Sequence, residues 1–160
     1  MDKEKIINLL KDVQDPEVPV LDVVSMGVVR DVKIEQARTI VTITPTYTGC
    51  PAMNTIEKDI VDKLKSVGIE KVEIKTVFSP AWTTDWLSEE TKQKLRDYGI
   101  APPGKTDESD FLQSFFTKKV ECPFCGSDNT KVTSEFGSTA CKSLHFCSEC
   151  SQPFEHFKCI

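Results

Sequence analysis

The chain has 160 residues, 39% of them hydrophobic and 28% charged, with a net charge of −5. That is enough for one domain of ordinary size plus a small module. No apolar run approaches the ~20 residues of a membrane span, and the acidic balance argues against a general affinity for nucleic acid or for an anionic membrane surface.

Met1-Asp2-Lys3-Glu4-Lys5 lacks the basic-then-apolar pattern of a signal peptide, so a cytoplasmic protein is expected. Ile6, Leu9, Leu10 and Val13 recur at helical spacing and predict an amphipathic helix over 3–13, closed by Pro16 and Pro19. After Gly27 the residues alternate, and Val28, Arg30, Val32 and Ile34 are expected on one face of a strand. A second strand, Thr39 to Thr44, is rich in β-branched residues and is close enough to pair with the first as a hairpin.

Ile56, Ile60, Val61, Leu64 and Val67 predict a helix over 51–67, with Gly68 as its stop. A third strand, 71–78, leads into a loop with Pro80, Trp82 and Trp86. A helix over 88–98 follows, with Ser88 as N-cap, Thr91 where a capping-box Glu would be ideal, and Gly99 as its end. This order predicts an α+β domain, a small mixed sheet with helices on one face, over residues 1–100. Residues 101–117 read as a linker, richest in Pro, Gly and acidic residues over 101–110. Phe111, Leu112, Phe115 and Phe116 can form one apolar stripe there.

Residues 118–160 form the third segment. Six of the seven cysteines lie between Cys122 and Cys159, and in a reducing compartment such clusters read as metal ligands or catalytic groups rather than disulfides. Cys122-Pro123-Phe124-Cys125-Gly126 and Cys147-Ser148-Glu149-Cys150 each leave two residues between thiols. One tight turn then aims both sulfurs at one point, and two such knuckles make the four-sulfur tetrahedron of a zinc ribbon. Gly126 tolerates the positive φ of such a turn. Iron alone or an iron–sulfur cluster is held by the same donor set. So short a segment buries little core, and the metal is expected to hold it folded.

Strands are expected at 130–134 and 140–146. Cys141 reads as a small buried residue and His145 as a surface or satisfied one rather than a ligand. Cys159 is either free or joined with His156 in a second site. From Lys118 onward five Lys are matched by five acidic residues, with no Arg, so this ribbon is not expected to bind nucleic acid.

Cys50 stands alone in Thr46-Tyr47-Thr48-Gly49-Cys50-Pro51. Pro51 suits the first helical position, which places Cys50 at or beside an N-cap, where the helix dipole favours a thiolate. Gly49 permits a close turn, and Thr46 and Thr48 can donate hydrogen bonds to the sulfur. The residues alone leave open a reactive or metal-accepting thiol and a buried structural one. A complete site calls for a partner chain, a second copy in a homo-oligomer, or the Asp15-Pro16-Glu17 segment. Those two carboxylates are an acid/base pair, a helix cap or a local partner for an Arg.

With these motifs assembled, a resemblance is visible. Asp15-Pro16-Glu17, the Cys50 loop and Ser79-Pro80-Ala81-Trp82 resemble the small domain of SufT-type iron–sulfur assembly factors. Over nearly the whole chain, several further motifs resemble the PaaD subunit family of the ring-1,2-phenylacetyl-CoA epoxidase. They are Pro80 to Trp86, Tyr98 to Pro103, Cys122 to Ser127, Phe136 to Lys142 and Pro153 to Lys158.

The resemblance implies a part in aerobic phenylacetate breakdown, as a non-catalytic accessory component assisting maturation or repair of an iron or iron–sulfur centre. It maps a functional thiol onto Cys50, an acidic motif onto Asp15 and Glu17, and ribbon ligands onto Cys122, Cys125, Cys147 and Cys150. It implies structural zinc, with iron or an iron–sulfur cluster carried transiently, and epoxidase subunits or iron–sulfur carrier proteins as partners. The residues agree with an accessory role: both histidines lie in the ribbon, so no self-contained di-iron site of the Glu-x-x-His type can be built. A purely structural subunit and a thiol-dependent enzyme using Cys50 are the alternatives.

Overall fold

The structure, a computed structural model, describes residues 2–36, 38–105 and 119–158. The 111–116 apolar stripe and Cys159 lie outside the described residues. The chain divides into two compact units, Met1–Leu87 and Ser88–Ile160.

The first unit opens with α1 (Lys3–Leu10), capped by Asp2, whose carboxylate accepts from Lys5 N. The helix stops at Leu10, well before the prolines. Val13 is buried, but in the irregular segment that follows. That segment, up to Val28, is a folded part of the core: Val18, Leu21, Val23, Met26 and Val28 are all buried. Its backbone satisfies itself through Asp15 N to Leu21 O, Val23 N to Val13 O and Met26 N to Asp22 O.

β1 (Val29–Glu35) and β2 (Arg38–Ile43) form the expected antiparallel hairpin, and β3 (Val72–Thr76) lies parallel to β2, in the order β1-β2-β3. The expected common face of Val28, Arg30, Val32 and Ile34 is not formed. An irregularity between Val29 and Asp31 inserts an extra residue, so Val29, Val32 and Ile34 stand opposite Ile43, Val41 and Thr39. Arg30 is thrown outward, and its guanidinium stacks on the Trp86 ring at 3.9 Å. Ile34, at the end of the strand, is exposed.

α2 (Ala52–Ser66) crosses over between the parallel strands and buries Ala52, Ile56, Ile60 and Leu64, a stripe of steps of four. Full burial of each Ile or Leu contributes about 1.5–3 kcal/mol. Helix α1 packs on α2 and on β1, and α2 packs on β3. Both helices therefore cover the same face of this mixed sheet.

The second unit begins with α3 (Glu89–Asp97), where Ser88 is the N-cap as expected, its hydroxyl accepting from Thr91 N at 3.1 Å. This unit reaches back to Ser88 for a physical reason. The two-residue strand β4 (Ile100–Ala101) pairs in parallel with β7 (Pro153–Phe157) of the ribbon, and α3 packs on β4. Strands β5 (Thr130–Ser134) and β6 (Lys142–Cys147) complete a sheet in the order β4-β7-β6-β5. No helix among the described residues is long and apolar enough to cross a membrane.

Candidate metal centre and the Cys50 loop

The two cysteine knuckles meet. The sulfurs of Cys122, Cys125, Cys147 and Cys150 all lie within 4.8 Å of one another. Cys122 Sγ is 3.7 Å from Cys150 Sγ, and Cys125 Sγ is 3.6 Å from Cys147 Sγ. Four sulfurs bound at ~2.3 Å around a tetrahedral zinc stand about 3.8 Å apart, close to both of these separations, so the donor set suits such an ion. Among the described residues this is the one group of three or more Cys, His, Asp or Glu side chains close enough to hold a metal.

Local sequence builds each half. In the first knuckle Cys122 N donates to Ser127 O, Gly126 N donates to Cys122 O, and Gly126 takes φ 74°. In the second, Cys147 N donates to Gln152 O, and Ser151 occupies the matching left-handed position at φ 57°. Cys122 and Cys147 are buried with Ala101 and Phe154 in a small apolar core, against which Val120 and Cys150 pack. Cys125 faces solvent.

The thiols are electrostatically unequal. The backbone N–H groups of Cys150 and Glu149 draw Cys147 down to about 7. Burial, with the neighbouring sulfurs, pushes Cys150 up to about 12. At Cys125 the Ser127 N–H and the Cys150 sulfur favour the thiolate, but local desolvation of its sulfur and the Cys147 and Cys122 sulfurs outweigh them and leave the thiol raised. A divalent cation at the centre would favour the thiolate at every ligand.

The other donors of this unit stand apart from the tetrad. His145 is buried, within 2.9 Å of Ser143 Oγ through Nε2, and stacked on Phe154. Desolvation lowers its pKa, against the pull of Glu135. Cys141 is buried with its sulfur 3.0 Å from Thr139 Oγ1.

In the first unit, Cys50 directly precedes Pro51, the N-cap of α2, which makes no side-chain cap bond. Cys50 is partly buried, Gly49 takes φ 80°, Thr46 is buried and Thr48 is exposed. The backbone N–H of Cys50 donates to Tyr47 O at 3.3 Å. The Tyr47 hydroxyl in turn donates to Glu17 Oε1 at 3.5 Å. The acidic turn and the cysteine loop are therefore neighbours, joined through a tyrosine to which the local pattern of residues assigns no role.

Asp15 is buried and serves the backbone, its Oδ1 accepting from Glu17 N at 2.7 Å and Val18 N at 2.9 Å. The Cys50 loop begins where Thr44 N donates to Val28 O and Val77 N donates to Ile43 O. Nearby, Trp82 is buried and its indole N–H donates to Met26 O at 2.8 Å. All three motif segments thus gather at the carboxyl end of the parallel β2–β3 pair. Thr44 Oγ1 is buried there with no hydrogen-bond partner among the described residues. A surface hollow of about 610 Å³ lies at the opposite, hairpin end, beside Glu35, Arg38 and Lys71, away from this chemistry.

Together these features define a class: an iron–sulfur-assembly-type α+β domain followed by a unit carrying a four-cysteine zinc ribbon. The iron–sulfur cluster assembly protein family matches residues 3–76, and the PaaD zinc beta ribbon domain matches residues 106–158. A protein of Escherichia coli (strain K12), provisionally named as one of the subunits of 1,2-phenylacetyl-CoA epoxidase, is 40% identical over 95% of this chain and 90% of its own length. The chain belongs to this PaaD family.

The Fe-S protein maturation auxiliary factor of Porphyromonas gingivalis (strain ATCC BAA-308 / W83) is 38% identical over 58% of this chain and 90% of that protein. The crystal structure of a domain of unknown function, DUF59, from Bacillus anthracis has 30% identity and a TM-score of 0.54, covering 58% of this chain and 90% of that one. Relatives of these kinds support an accessory role linked to iron–sulfur assembly.

Proposed function

We propose that this chain is an accessory component of a phenylacetyl-CoA epoxidase system, and that it assists maturation or repair of that system's iron or iron–sulfur centre. Iron or a cluster is here the cargo. Cys50 is the functional thiol that receives it or engages its carrier protein. Glu17 and Tyr47 hold the loop in shape, Gly49 allows its close turn, and Thr46 and Thr48 flank it. Asp15 folds the acidic turn. The ribbon cysteines Cys122, Cys125, Cys147 and Cys150 hold a structural zinc, which supplies the cohesion that a small core lacks.

The observation that carries this reading is the convergence on Tyr47. One residue receives the backbone of Cys50 and reaches Glu17, so a soft donor loop and a carboxylate stand together at one end of the sheet. Epoxidase subunits and iron–sulfur carriers are the proposed partners.

The test is Cys50→Ala in a reconstituted epoxidase system. Client maturation should be lost while the ribbon keeps its zinc. Full client activity with that variant would sink the proposal and favour a structural subunit. Rapid, stoichiometric alkylation of Cys50 near neutral pH, with turnover of a thiol-sensitive substrate, would instead favour a thiol enzyme.

A further inference from the structure

The family match to the ribbon begins at residue 106, yet the unit that holds the four sulfurs begins at Ser88. Three observations tie the earlier segment to the metal centre. Ala101, 1% exposed, shares a core with Cys122 and Cys147. Ile100 and Ala101 are paired with Glu155 and His156 of β7. Gly99, at φ +88°, lies so close to the ring of Phe124 that a Cβ there would meet Cζ at 3.1 Å and Cε1 at 3.2 Å.

Phe124 is one of the two residues between the ligands Cys122 and Cys125. A Cβ at position 99 therefore meets the tip of the Phe124 ring, which is exposed and must give by a few tenths of an ångström, and any side chain there also strains a left-handed backbone. Helix α3 secures the strand from behind, with Leu95 and Thr91 buried.

From this arrangement we infer that the α3–β4 segment is the cover of the metal site, and that Gly99 and Ala101 are positioning residues which set how tightly the ion is kept. The inference rests on the proposed zinc occupancy of the ribbon. The apolar shell around a metal governs access of water and competing ligands to the metal–sulfur bonds. Docking of β4 and retention of the metal are then linked, and linkage is reciprocal: a loosened strand weakens the metal, and loss of the metal loosens the strand.

The test uses the full chain loaded with zinc. Zinc release to excess chelator is timed for the wild type, Gly99→Val and Ala101→Asp, and hydrogen exchange is followed in the peptide spanning residues 95–101. Release should quicken about tenfold or more in both variants. In the wild type, stripping zinc should speed exchange in that peptide while leaving α2 unchanged. Unaltered release from a variant whose 95–101 peptide has lost protection would overturn the inference. So would unaltered exchange in the stripped wild type, a measurement that holds even where a variant fails to fold. Failure of the wild type to take up zinc would overturn the occupancy itself, and is told apart by metal analysis before any release is timed.

Discussion

The Tyr47 hydroxyl donates a hydrogen bond to Glu17 Oε1 across thirty positions of sequence, at 3.5 Å. This contact fastens the loop that carries Cys50 to the acidic turn after α1. The bond is long and part-buried, so its worth to stability is small, about 0.5–1.5 kcal/mol. Its expected worth is to loop position, because it ties the residue that accepts from the Cys50 backbone to the acidic turn. Tyr47→Phe should lower client maturation several-fold and shift the urea midpoint only slightly. A wild-type maturation rate in this variant would show that Cys50 does not depend on the contact.

Asp15 is expected to behave differently from Glu17. Its buried carboxylate accepts two backbone N–H bonds, from Glu17 and Val18. Asp15→Ala leaves both donors without that partner and should destabilise the first unit by about 1–3 kcal/mol. Equilibrium urea unfolding monitored by Trp82 and Trp86 measures this directly, since both tryptophans lie in that unit. A shift below a few tenths of a kcal/mol would assign the motif to function alone.

Glu155 sets a pH dependence in the second unit. Burial raises its carboxyl, but the Ser138 N–H and the ammonium of Lys142, 3.3 Å away and nearly buried, outweigh that and hold it below the ordinary value. A carboxyl depressed on folding contributes stability that is present above its unfolded pKa and is lost as pH falls through its folded pKa. Glu155→Gln should therefore destabilise the zinc-loaded unit at pH 7, and the gap to the wild type should begin to narrow as pH falls toward the ordinary carboxylate value of about 4.3. Thermal unfolding from pH 7 down to the pH at which acid protonates the thiolates and frees the metal, fixed by metal analysis, checks the sign. A gap that stays constant with pH would mean packing rather than charge.

Metal removal should separate the two units. Structural zinc in small sites contributes on the order of 10 kcal/mol at neutral pH, far more than the core around Ala101, Cys122, Cys147 and Phe154 can supply. Chelation at pH 7 is expected to melt β5 to β7 and leave the helices of the first unit intact, and Cys147→Ser should reproduce that state. Circular dichroism with metal analysis reads both. An ordered ribbon in zinc-free protein would contradict the structural assignment of the ion.

Local chemistry made much of this legible from the chain. The two Cys-x-x-Cys turns carry their own geometry, since each pair of sulfurs is aimed by a few adjacent peptides. Ser88 announces α3 because a cap acts within one turn. The stripe of Ile56, Ile60 and Leu64 announces α2 because its period is intrinsic to the helix. What only the tertiary structure decided lies at long range. It placed β3 parallel to β2, stood Arg30 on Trp86 after a one-residue irregularity, brought Glu17 to Tyr47, and gave Ile100 and Ala101 to the ribbon sheet. The reason is physical: period, capping and turn preference are fixed by near neighbours, whereas strand pairing and side-chain meetings across dozens of residues are chosen by which surfaces bury together.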